Sequence, residues 1–179
     1  MSTPNWNPFV TVDAREKVLP PRAIETVEGL GDRMRVAAFA ELQAIHAFQW
    51  AVETFTDAPN ALKAAWTVLA GEERNHYAWL IKRMGELSID LRERKVSDRL
   101  WHSFLRCKTA KDFSLYIATA EHRGMVAGDR VAEQIKEQDP ESSRIFAKIA
   151  FEEIGHIDHV IKFYPELREQ FEKKVSPTG

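Results

Sequence analysis

Two short stretches carry metal-binding side chains at helical spacing. Glu72-Glu73-Arg74-Asn75-His76 and Glu152-Glu153-Ile154-Gly155-His156 each contain Glu-x-x-His. Residues three apart share a face of an α-helix, so the carboxylate and the imidazole can chelate one ion. For either stretch alone, a solvated surface histidine is the plain alternative. The two stretches lie 80 residues apart. The same offset carries Ala40-Glu41 onto Ala120-Glu121, and Ala70, Ile81 and Lys82 onto Ala150, Ile161 and Lys162. A fixed offset that preserves acids and histidines is an internal repeat, here of two helices.

The acids sit in otherwise apolar segments such as AAFAELQAIHAF and LYIATAEH. Four carboxylates sharing one core lose hydration and repel one another unless cations neutralise them. Two divalent ions supply the balancing charge, so the pattern calls for a dinuclear metal site. A buried salt-bridge network left by a duplication is the competing reading. It lacks Arg or Lys partners at the same core positions. Carboxylate and imidazole donors suit iron or manganese better than copper.

Such a site needs long helices to hold it. Apolar residues recur at three- and four-residue steps from Asp32 to Phe55, a segment without Pro or Gly. Asp57 and Pro59 read as the start of a second helix, over 59–87. A short helix is expected over 97–105. Thr109 caps a third long helix, 110–138, and Asp139-Pro140 ends it and starts a fourth, 140–163. A charged segment at 166–174 adds a last turn or two. Pro4, Pro8, Pro20 and Pro21 forbid a long helix before them. The expected organisation is an extended arm (1–31), an all-α antiparallel four-helix bundle (32–164) and a C-terminal tail (165–179).

One Glu from each of two helices, with Glu-x-x-His from each of two others, resembles the ferritin-like di-iron carboxylate proteins. The stretches ELQAIHAFQWAVETFTDAP, WTVLAGEERNHYAWLIKRMGEL and FEEIGHIDHVIKFY are also similar to a narrower bacterial ferritin-like family of unknown function. That similarity covers about residues 33–164. The resemblance implies Glu41, Glu73, His76, Glu121, Glu153 and His156 as ligands of two iron ions, with manganese as the alternative. It makes Glu73 and Glu153 bridges and Glu41 and Glu121 terminal ligands.

Ligand histidines usually donate their second N–H to a carboxylate. Glu72 and Glu152 precede the bridging acids, and the expected contacts are Glu72 with His156 and Glu152 with His76. Solvated glutamates are the alternative. His159 reads as a packed or surface residue, because its repeat counterpart is Trp79; His46, His102 and His122 read as structural. Ala44 and Gly124 correspond in the repeat. They either leave room for a small substrate or let helices pack closely, and close packing is the expectation. Trp50, Trp66, Trp79 and Trp101 read as core or groove aromatics.

The favoured activity is redox: an oxidase, oxygenase or peroxide-reducing protein acting with O2 or peroxide. Cys107 is the single cysteine, so a second iron centre of rubredoxin type is excluded and electrons come from a separate donor or the substrate. Ferroxidase activity of ferritin type is the first alternative. A tRNA-modifying hydroxylase is disfavoured by the formal net charge of −2 and the lack of a basic cluster. A non-catalytic helical adaptor is the last. Neither a secretory signal nor a membrane span is read, so a cytoplasmic protein is expected, with a homodimer as an open possibility.

Overall fold

The computed structural model describes residues 4–13 and 16–176, save the side chain of Val160. The ends of the expected arm and tail, 1–3 and 177–179, lie outside them. Among the described residues six α-helices follow one another: α1 (Val27–Thr54), α2 (Asn60–Glu86), α3 (Arg99–Phe104), α4 (Ala110–Ile135), α5 (Pro140–Phe163) and α6 (Arg168–Val175). A 3-10 turn, Pro165–Leu167, precedes α6. The four long helices hold 24 to 28 residues, or about 36–42 Å at 1.5 Å per residue. Short links at 55–59 and 136–139 fold α1 with α2, and α4 with α5, into antiparallel hairpins. The crossover 87–109 returns the chain to the end where α4 must start.

The start of α1 differs from expectation. The helix begins at Val27, where the Thr26 hydroxyl accepts from the Gly29 amide at 2.9 Å. Gly29 and Gly31 look like breakers in the sequence, yet both lie inside the helix, and at Gly29 the approach of backbone requires glycine. A Cβ on Gly29 would stand 1.7 Å from the Ala23 carbonyl oxygen, and one on Gly31 3.0 Å from the Ile89 side chain. The arm therefore ends at residue 26. Asp57 also acts elsewhere than expected. No side chain caps α2, which follows Pro59 directly. The Asp57 carboxylate instead accepts from the Ala110 amide at 3.0 and 3.3 Å, at the N-terminus of α4. Thr109 caps the same helix through the Asp112 amide. Asp139 caps α5 through Ser142 at 3.0 Å. The third long helix stops at Ile135, short of 138.

The bundle has two chemically different ends. At one, Phe113 packs among Phe48, Trp50, Phe55, Trp66 and Phe104, with ring centroids 5.2–6.1 Å away. At the other, buried Asp32 on α1 pairs with Arg22 (2.6 Å), Arg94 (2.6 Å) and Arg35 (3.1 Å). Arg35 continues to Glu93 at 3.0 Å and to the Asp90 carbonyl at 2.7 Å. This network ties arm, α1 and crossover together. The arm is pinned further along by Trp6 against Phe39 and Trp101, and by Val12 and Val10 bonding across to Val96. The carboxylates of interest lie midway between the two ends.

Candidate metal centre

Each long helix delivers its acid to one point because each turns an apolar stripe inward and places the acid on it. Glu73 on α2 and Glu153 on α5 are 0% and 2% exposed; His76 and His156, one turn on, are as deeply buried. Glu121 on α4 is buried, and Glu41 on α1 is nearly so, with 12% of its side chain exposed. The donor atoms form two sets: Glu41, Glu73, His76 and Glu153 make one, and Glu73, Glu121, Glu153 and His156 the other. Within each set all donor atoms lie within 4.8 Å of one another. Glu73 and Glu153 belong to both. His156 Nδ1 stands 2.8 Å from Glu73 and 3.0 Å from Glu153. His76 Nδ1 stands 3.3 Å from each of them and 3.8 Å from Glu41.

These contacts are short, yet the groups are not satisfied by one another. Both Glu73 oxygens, one oxygen each of Glu121 and Glu153, and both Nδ1 atoms lack an aligned hydrogen bond. Orphaned polar atoms this deep are costly in a native core. Here they converge on shared points, which is how donors stand around a cation and not how they stand around each other. The residues present therefore fit a pair of divalent ions.

The opposite face of each imidazole is occupied. His76 Nε2 lies 2.9 Å from Glu152, and His156 Nε2 lies 2.8 Å from Glu72. Each carboxylate comes from the facing helix of the other hairpin. An acceptor at Nε2 fixes the proton there and leaves the Nδ1 lone pair for a metal. Glu152 is also held by Lys148, whose ammonium sits 4.4 Å above the Trp79 ring. Glu72 accepts no such lysine among the described residues.

Burial and crowding set the electrostatics of the cluster. Burial, with the charge of Glu73 nearby, holds Glu41 well above the usual carboxylate range. Burial and Glu153 do the same to Glu121. Burial alone would also raise Glu73, but the imidazoles of His156 and His76 outweigh it and hold it low. Burial would depress both histidines, and the carboxylates around them win: His156 is pushed up to about 11, and His76 still higher.

The structure thus brings together all six residues named from the sequence, and sets Glu72 and Glu152 behind them. His159 stays outside; it is exposed, with Nδ1 3.3 Å from the Gly155 carbonyl. Of the tryptophans read as core or groove aromatics, Trp50, Trp66 and Trp101 are buried, and Trp79 stands beside His76 with centroids 5.5 Å apart. Ala44 and Gly124 do not mark close packing. Both border a cavity of about 380 Å³ between α1 and α4 that reaches Glu41, Glu121 and Glu153. A Cβ on Gly124 would meet nothing within 4 Å. Sequence reasoning missed the size of this cleft. Its signal was a run of small residues, Ala37, Ala40 and Ala44 facing Ala120, Gly124 and Ala127. The Asp32 network was missed as well, since its partners lie 10 and 62 residues apart.

No described helix is long and apolar enough to cross a membrane. Among solved structures the chain is similar to a dodecameric thioferritin, the bacterioferritin-related protein of Bacteroides fragilis, at 18% identity. The match covers 84% of this chain and 93% of that one, with a TM-score of 0.66. At that identity the likeness shows the fold, a ferritin-like four-helix bundle. No curated protein matches the sequence. Over residues 2–177 it matches the family described as "Protein of unknown function (DUF455)", and the chain belongs to that family.

Proposed function

We propose that this chain is a cytoplasmic dinuclear non-haem iron protein that acts on O2 or peroxide as an oxidase, oxygenase or peroxide reductase. The observation that supports it most is the pair of donor sets sharing Glu73 and Glu153. Glu41, Glu73, Glu153 and His76 would hold one ion, and Glu121, Glu73, Glu153 and His156 the other. Two ferrous ions held there would supply two electrons to the oxidant. The shared carboxylates would neutralise charge on both ions. Glu72 and Glu152 orient the two imidazoles and raise their basicity. Manganese suits the same donors. Cys107 is the single cysteine, so the chain holds no dithiol pair of its own, and a separate reductant or the substrate would return the electrons.

The test is metal content per chain after anaerobic Fe(II) loading and desalting, followed by O2 and peroxide consumption. About two irons per chain with turnover of either oxidant supports the reading. Iron near zero, with manganese and zinc also absent, would remove it in favour of a helical adaptor. Ferroxidase activity coupled to storage is the second reading, favoured by the ferritin-like neighbour described as dodecameric. Size separates the two, since a cage elutes at hundreds of kilodaltons and a 20.5 kDa monomer or its dimer cannot enclose a mineral.

A further inference from the structure

The two sides of the carboxylate cluster are unlike. Toward α2 and α5 it is closed by Glu72, Glu152 and the two imidazoles. Toward α1 and α4 it opens into the 380 Å³ cleft, a volume within the roughly 300–1,000 Å³ of small-molecule sites. The cleft wall is almost wholly apolar: Ala37, Ala40 and Ala44 on one helix, Ile117, Val131 and Phe146 on the others. From Glu41 back to Arg33 it follows α1 for two turns, about 12 Å at 1.5 Å per residue.

Its outer end is cationic. Arg33, Arg94 and Lys95 line it with Arg35 and its partner Asp32, beside Val18 and Leu19 of the arm, which keep 40% and 68% of their surface exposed. Arg94 is spent on Asp32 at 2.6 Å and Lys95 on Glu16 at 2.7 Å. Arg33 is not. Its Nη1 donates to the Arg22 and Gly29 carbonyls, both at 2.8 Å, and no carboxylate pairs with it among the described residues. A guanidinium steadied by backbone and lacking a counter-ion is a ready partner for an anionic head group. An apolar trough with acids that call for metal at one end and an unpaired arginine at the other selects a shape and a charge.

The geometry points to an elongated aliphatic monoanion as the substrate class. The head group pairs with Arg33, and the hydrocarbon body lies between α1 and α4 with its far end at Glu41 and Glu121. The inference rests on the dinuclear-metal reading, because it takes the acids at the inner end to be held by bound cations. Gly124 is the site for a block, since a Cβ there meets nothing within 4 Å.

The test is calorimetric titration of metal-loaded, metal-counted protein with dodecanoate and with dodecan-1-ol, both below micelle formation. Expected are one dodecanoate per chain and weaker binding of the alcohol. Gly124→Phe weakens dodecanoate by about tenfold or more. Arg33→Leu brings dodecanoate down to the level of the alcohol, and Arg33→Lys restores most of the difference, which a merely misfolded variant would not do. Two metals per chain with no dodecanoate uptake would overturn the inference and leave the metal reading standing. So would equal binding of acid and alcohol, or an indifferent Gly124→Phe. A dimer that Gly124→Phe dissociates, with no dodecanoate uptake, would overturn it in favour of a second copy. Absence of metal sinks both readings together.

Discussion

Each carboxylate of the cluster has its own weight, set by how many donor sets it joins. Glu73 and Glu153 stand in both sets, and Glu41 and Glu121 in one each. Glu73→Ala or Glu153→Ala should therefore lower iron from about two per chain to below one. Glu41→Ala should leave about one. Metal analysis after desalting checks the contrast, and equal losses in all three would refute the sharing. Glu152→Gln keeps the size of the side chain and removes the charge behind His76. It should weaken metal affinity by about 10- to 100-fold, read by chelator competition. All these residues could be named from the sequence because the 80-residue offset repeats types, not only hydrophobicity. The orientation of Glu72 and Glu152 followed from helix geometry, since a residue four before a ligand shares its side of the helix.

Helix ends were less legible than helix middles. A stripe such as Leu62, Trp66, Leu69 and Leu80 announces itself by period, whereas an end depends on contacts across the chain. Gly29 and Gly31 read as breaks until their neighbours, Ala23 and Ile89, are known. Asp57 reads as the cap of the helix that follows it, and in fact serves a helix 53 residues later. Asp57→Ala should leave the Ala110 amide without its acceptor and cost about 1 kcal/mol. Thermal unfolding measures it, and the loss should appear with or without metal. Gly29→Ala should cost more, because the new methyl would collide with backbone and not with a side chain that can move.

At the scale of the molecule, the ionic end responds to pH. Burial would raise the Asp32 carboxyl, but Arg22 and Arg94 outweigh it and hold it well below the usual range. A depressed acid stabilises the fold fully above its unfolded value, near pH 4. That contribution fades as pH falls further, through the folded value. Asp32→Asn should therefore cost about 3–5 kcal/mol at neutral pH, the effect of removing one partner from a buried ion pair. The gap to wild type should narrow below pH 4. Denaturant melts at pH 7 and pH 3 check the sign; a gap that widens in acid would contradict it. None of this was visible in the sequence, where Asp32, Arg22, Glu93 and Arg94 are four unremarkable charges with no spacing in common. The network closes only when the crossover is laid beside the arm.

The lysine behind Glu152 breaks the internal symmetry of the repeat. Lys148 corresponds to Val68 at the 80-residue offset, so one half holds an ammonium where the other has an exposed valine. Glu152 divides its charge between Lys148 and His76, while Glu72 gives its own to His156. Two nearly identical seats therefore differ in how strongly each imidazole donates. Ferrous ions should fill them in sequence and give two distinct Mössbauer doublets, and Lys148→Val should draw the doublets together. A duplicated half-site would then have become two chemically unequal ones through residues outside the ligand set.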